Sequence, residues 1–165
     1  MSYDLYLYPK DSDANEVYDL IEEPTEEQIA LLERAIQGVD IEAIVDRHFP
    51  LMDVPDFGPA RSADIDNEGA ILILHATYNP IAGSSDDLMR HVLQCVADIQ
   101  KQSPLLCFDA QLDAVIDPQS ELDMLTTKYA EGRTMLDSYT GQGAPTQPRI
   151  ASQPAKSPWW KFWSS

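Results

Sequence analysis

Hydrophobic and polar positions alternate at the start of the chain and then change to a helical period. In Tyr3-Asp4-Leu5-Tyr6-Leu7-Tyr8, Tyr3, Leu5 and Leu7 share one face and Asp4, Tyr6 and Tyr8 the other, which predicts a β-strand ended by Pro9. Thr25-Glu26-Glu27-Gln28 reads as a capping box with acids in the first helical turn. The helix it opens has Ile29, Leu31, Leu32 and Ile36 as its apolar stripe and Gly38 as its stop. Asp40 is positioned to cap a shorter helix to about Arg47, with Ile41, Ile44 and Val45 inward. Residues 50–60 carry Pro50, Pro55, Pro59 and Gly58 and are expected to form a loop.

Ala63 and Ile65 lead through Asn67-Glu68-Gly69 into Ala70-Ile71-Leu72-Ile73-Leu74, a predicted hairpin whose second strand is apolar on both faces and therefore central. Ser84 or Ser85 caps the strongest helix, from Asp86 to about Gln102, with Leu88, Val92, Cys95, Val96 and Ile99 on one stripe and Ser103-Pro104 at its end. Leu105-Leu106-Cys107-Phe108 and Ala114-Val115-Ile116 supply two more strands. Leu122, Leu125 and Tyr129 give residues 119–136 a helical spacing, with Gly132 a candidate interruption.

The order β, α, short α, β, β, α, β, β predicts an α+β fold: a two-layer αβ sandwich with a largely antiparallel sheet and helices on one face. The βαββαβ series within it permits a ferredoxin-like topology. Residues 1–136 are expected to be one acidic domain, 137–158 a flexible linker and 159–165 an aromatic tail motif.

Charge sharpens that division. The chain has 28 acidic and 11 basic residues, and every acid lies at or before Asp137. Residues 1–137 hold 8 Lys and Arg against 28 Asp and Glu, a formal −20, while 138–165 hold Arg149, Lys156 and Lys161 with no acid. A body of this charge excludes direct nucleic-acid binding by counterion release, which needs Lys and Arg. It suits a basic protein partner. Cys95 and Cys107 form no CxxC pair and read as reduced thiols, no signal peptide or spanning run is evident, and a cytoplasmic location is expected.

Sequence motifs for catalysis have simpler explanations. Asp64-Ile65-Asp66-Asn67-Glu68-Gly69 resembles the first half of an EF-hand loop, yet its twelfth position is His75 where a bidentate Glu is required, and a hairpin turn accounts for it. His48, His75 and His91 are scattered without metal-ligand spacing and read as packing or surface positions. Asp56-Phe57-Gly58 stands without the other kinase elements, and no Walker loop, dinucleotide fingerprint or Gly-x-Ser-x-Gly is present. No catalytic residue, metal or cofactor is expected.

All three tryptophans fall in Trp159-Trp160-Lys161-Phe162-Trp163, beyond a Ser, Thr, Gly, Gln, Pro and Ala segment. As a flexible chain that segment would reach roughly 25 Å. Three uses compete for the tail: packing back on its own domain, anchoring in a partner's groove, where Trp is enriched at hot spots, or reversible contact with a membrane surface.

Ser2-Tyr3-Asp4-Leu5-Tyr6, together with Phe108-Asp109-Ala110-Gln111 and Ile116-Asp117-Pro118-Gln119, resembles small uncharacterised bacterial proteins that open on a similar Ser-Tyr-Asp-Leu-Tyr strand. Some of these look like immunity factors that block a toxin made by the same or a neighbouring cell. The resemblance implies a non-catalytic immunity-type protein neutralising a basic partner. Asp11, Asp13, Glu16, Glu22, Glu23, Glu26 and Glu27 are the carboxylates expected to face that partner. The alternative is an adaptor or peripheral membrane protein acting through Trp159, Trp160, Lys161, Phe162 and Trp163, and a third class is an enzyme on a cationic substrate with a buried acidic pocket.

Overall fold

The alternation of the first strand builds two layers at once. The computed structural model describes residues 2–12, 17–56, 58–77 and 85–140. In chain order the elements are β1 (Ser2–Pro9), α1 (Asp19–Glu22), α2 (Glu26–Ile36), α3 (Ile41–His48), β2 (Met52–Val54), β3 (Gly58–Ala60), β4 (Ala63–Glu68), β5 (Ile71–Thr77), α4 (Ser85–Gln102), β6 (Leu105–Asp109), β7 (Ala114–Ile116) and α5 (Pro118–Thr140). Tyr3, Leu5 and Leu7 of β1 enter the main core, and Tyr6 and Tyr8 enter a second core on the opposite face. This is the period of two expected of a central strand covered on both sides.

Five strands form one antiparallel sheet in the order β4-β5-β1-β6-β7. Without β7, that order and the two helical crossovers, β1 to β4 through α2 and α3 and β5 to β6 through α4, are those of the ferredoxin-like split βαβ arrangement. The α+β sandwich expected from the sequence is the fold, with β7 added at one edge.

The first face is covered by four helices. Leu32 of α2, Ile44 and Val45 of α3, Leu88, Val92, Leu93, Cys95, Val96 and Ile99 of α4, and Leu125 of α5 meet Leu5, Leu7, Leu72, Leu74 and Cys107 there. Local chemistry starts α2 and α3 where the sequence indicates. Gln28 N donates to Thr25 Oγ1 (3.2 Å) and Thr25 N to Gln28 Oε1 (2.8 Å), closing the capping box, while Ala43 N donates to Asp40 Oδ1 (3.0 Å). Gly38 follows α2 with φ of 78°, a left-handed conformation that suits a helix stop. Asp117 caps α5, accepting from Gln119 N at 3.1 Å, and Pro118 occupies the first helical position.

Three details differ from the sequence-based expectations. Helices are not confined to one face, because α1 and the preceding Val17 lie on the other, where Val17 and Leu20 pack with Tyr8 and Ile71. Residues 50–60 contain a small hairpin, with Met52 opposite Ala60, Asp53 opposite Pro59 and Val54 opposite Gly58. Its breakers make the turn, where Asp56 and Gly58 have φ of 70° and 81°, instead of abolishing the strands. Helix α5 continues through Gly132 to Thr140, beyond the expected end at 136. Once a helix is nucleated and docked, each added residue costs little. The Ser84 alternative for the α4 cap lies outside the described residues.

The β4–β5 turn holds α1 in place. Ala70 N donates to Leu20 O at 2.9 Å, and Gly69, with φ of 59°, sits where a Cβ would come 2.4 Å from Leu20 O and 3.1 Å from Pro24 Cγ. Gly69→Ala is therefore expected to destabilise the fold by about 1–3 kcal/mol, through positive-φ strain and displacement of α1. Urea unfolding of the variant beside the wild type measures it; equal midpoints would show that α1 yields without cost.

Candidate functional site

Four of the expected carboxylates cluster where α1 passes into α2. Glu22 ends α1, Glu23 follows it, and Glu26 and Glu27 occupy the first turn of α2, all exposed. The contact of Leu20 with Ala70 places this segment at the end of the sheet that carries the β4–β5 turn and Glu68. Asp11 is exposed and lies just beyond β1 at the same end, since Leu7 of β1 stands opposite Leu72 of β5. Asp13 and Glu16 lie outside the described residues. So do Trp159, Trp160, Lys161, Phe162 and Trp163 of the tail.

These acids are unneutralised within the described part of the chain. Its ion pairs join Arg61 to Glu42, Asp46 and Asp64, Arg90 to Asp123, Lys101 and His48 to Asp98, and His75 to Asp4 and Asp66. None of them uses Asp11, Glu22, Glu23, Glu26 or Glu27. Two exposed apolar-bodied side chains flank this run in the chain, Tyr18 before α1 and Ile29 of α2 at 37%. Ile29, expected to be buried, lies among solvent-facing residues of α2, while Leu32 is the position on that helix that is fully buried.

The acidic surface continues onto the second face of the sheet, which the sequence reading did not single out. Along β4, Asp64, Asp66 and Glu68 are exposed and alternate with buried Ala63 and Ile65. Register sets Asp64 and Asp4 on either side of His75. His75 Nδ1 is 2.8 Å from Asp4 Oδ1 and its Nε2 is 3.5 Å from Asp66 Oδ2, so this histidine ties three strands together. The alternating acids of an edge strand were the available signal; the pairing with Asp4 depends on a neighbour 71 positions away.

Beside these acids lies an aromatic group. Tyr18 meets Tyr6 with centroids 6.3 Å apart and Phe108 at 6.2 Å, both edge-on. Burial first, and then the carboxylate of Asp4, Tyr18 and the carboxylate of Glu68, push the Tyr6 phenol up to about 12. The Tyr18 phenol is also raised, by burial and then by Asp113 and Asp109. Both hydroxyls are neutral at physiological pH and sit in negative potential.

Two other polar groups link separate elements of the fold. His48 Nε2 lies 2.9 Å from Asp98 Oδ2, and Lys101 Nζ donates to Asp98 Oδ1 at 2.8 Å. They border an open groove of about 420 Å³ shared with Gln94, Ala97, Pro118, Gln119 and Leu122. That lining contains no hydroxyl or thiol. His48 and Asp98 join the end of α3 to α4. No group of three or more His, Cys, Asp or Glu among the described residues is placed to hold a metal, and no helix among them is long and apolar enough to cross a membrane.

Asp109 is the second group. It is completely buried, and its carboxylate accepts from the hydroxyls of Tyr3 and Tyr129, from Gln111 N at 2.8 Å and from Leu112 N at 3.2 Å. Tyr3 and Tyr129 also meet edge-on at 4.8 Å. Burial and the neighbouring Asp109 charge raise both phenols far above the ordinary value, which keeps them as donors. One carboxylate thereby binds β1, the β6–β7 turn and α5.

Asp109→Ala is expected to cost about 3–5 kcal/mol, because it strands the buried Tyr3 hydroxyl, the half-buried Tyr129 hydroxyl and two amides, and Tyr129→Phe about 1–2 kcal/mol; urea unfolding measures both. A second expectation concerns pH. Hydrogen bonds from Lys101 and then His48 hold the Asp98 carboxyl below its usual range. A lowered folded value makes this stabilisation complete above the unfolded carboxyl value of about 3.9 and lost as pH falls through the folded one. Asp98→Asn should lose less stability than the wild type across that acid window; parallel curves would show that the pair contributes nothing.

No family model, curated protein or solved structure matches the chain, so the site is read from its own geometry.

Proposed function

We propose that the chain is a non-catalytic, immunity-type protein that neutralises a basic protein, such as a toxin, by stoichiometric binding through its acidic surface. The observation that carries this reading is the run Glu22, Glu23, Glu26 and Glu27, exposed and without a cationic partner among the described residues. Such a surface speeds encounter with a basic protein and repels nucleic acid, so it suits occlusion of a toxin's own nucleic-acid cleft. Tyr18 and Ile29, exposed on either side of this run in the chain, are apolar surface that a partner can desolvate. The proposed setting is the cytoplasm, where Cys95 and Cys107, both buried and unpaired, stay reduced.

Affinity capture from the host's lysate by the full chain is expected to retain a basic protein, with retention falling steeply between about 0.05 and 0.5 M salt. Replacing Glu22, Glu23, Glu26 and Glu27 with Lys should weaken that binding by about a hundredfold or more while circular dichroism stays unchanged. Equal retention by the two chains would sink the proposal.

A further inference from the structure

We infer that the second face of the sheet, around Tyr18, is the receptor for arginine side chains of the basic partner. The inference rests on the proposed function and adds the chemistry recognised. Tyr18 is 39% exposed, and its ring is held by edge-on contacts to the largely buried Tyr6 and Phe108. Val115 of β7, which stands opposite Phe108 in the register, is 45% exposed and extends the apolar surface. Carboxylates share this face: Asp4 lies two positions before Tyr6 in β1, Asp66 stands opposite Ile73, the residue that also faces Tyr6, and Asp113 acts electrostatically on Tyr18.

No Lys or Arg among the described residues pairs with Asp4, Asp66, Glu68 or Asp113; His75 is the sole basic side chain in their ion pairs. A fixed aromatic ring beside carboxylates offers both interactions that a guanidinium makes, stacking on the ring and a forked hydrogen bond to the acid. An ammonium forms a point contact and stacks less well. The surface is continuous with Glu22 and Glu23, because the turn after Glu68 touches Leu20 and Pro24. One partner can therefore place basic residues along both.

The test titrates the isotopically labelled full chain with an oligo-arginine peptide and an oligo-lysine peptide of equal length. The arginine peptide is expected to bind about fivefold more tightly, with shifts centred on Tyr6, Tyr18, Glu68 and His75. Tyr18→Ala should remove the preference and Tyr18→Phe should keep it, each with an otherwise unchanged amide spectrum. Equal affinities for the two peptides, or a preference that survives Tyr18→Ala, would overturn the inference. Shifts confined to Glu22, Glu23, Glu26 and Glu27 would also overturn it, while leaving the acidic-binder reading intact; that reading fails separately, if charge reversal there leaves partner capture unchanged. An NOE in the free chain between a tail tryptophan and the Tyr18 ring would make the chain's own tail the occupant and overturn it as well.

Discussion

A buried carboxylate with no cation beside it among the described residues must find hydrogen-bond donors, and Asp109 meets that demand by drawing three parts of the chain together. Tyr3 comes from the first strand, Tyr129 from the last helix, and the two amides from the turn that returns β6 into β7. The carboxylate thus links the two ends of the described fold. With α5 held by Tyr129 and Leu125, the main core closes under four helices on one face of the sheet. The opposite face receives only α1 and Val17 from the described residues.

That asymmetry explains how a sheet with two apolar faces can also present a polar surface. Near the β4–β5 turn, Leu20 and Val17 cover Tyr8 and Ile71, and apolar burial dominates. Toward Asp4 and along β4 the side chains on this face are Asp4, Asp66 and His75 instead. Carboxylates on an edge strand also discourage pairing with the edge of another sheet. The same residues then supply a field that a basic partner can meet.

Much of the fold was legible because its signals are local. The parity of Tyr3, Leu5 and Leu7 against Tyr6 and Tyr8 marked β1 as a strand with two distinct faces, each of which enters a core, and the Thr25–Gln28 box marked the start of α2. The stripe of α4 is buried as its spacing predicts. Helix α1 was illegible because a single turn has no periodicity and depends on a tertiary contact, the Ala70 to Leu20 hydrogen bond. The prolines of 50–60 concealed a hairpin that they help to turn. At the site, acids close in sequence, Glu22 to Glu27, could be grouped by inspection. His75 with Asp4 and Asp109 with Tyr3 could not, since those partners lie 71 and 106 positions apart and meet only through strand order.

The most direct measurement of the central claim, that an acidic surface spanning α1, the start of α2 and β4 binds a basic protein, is hydrogen exchange of the full chain with and without its captured partner. The account predicts slowed exchange in peptides covering 17–29 and 63–68, with β7 and the α3–α4 groove unchanged except where Val115 is reached. Protection restricted to 141–165, or to the groove beside His48 and Asp98, would contradict it.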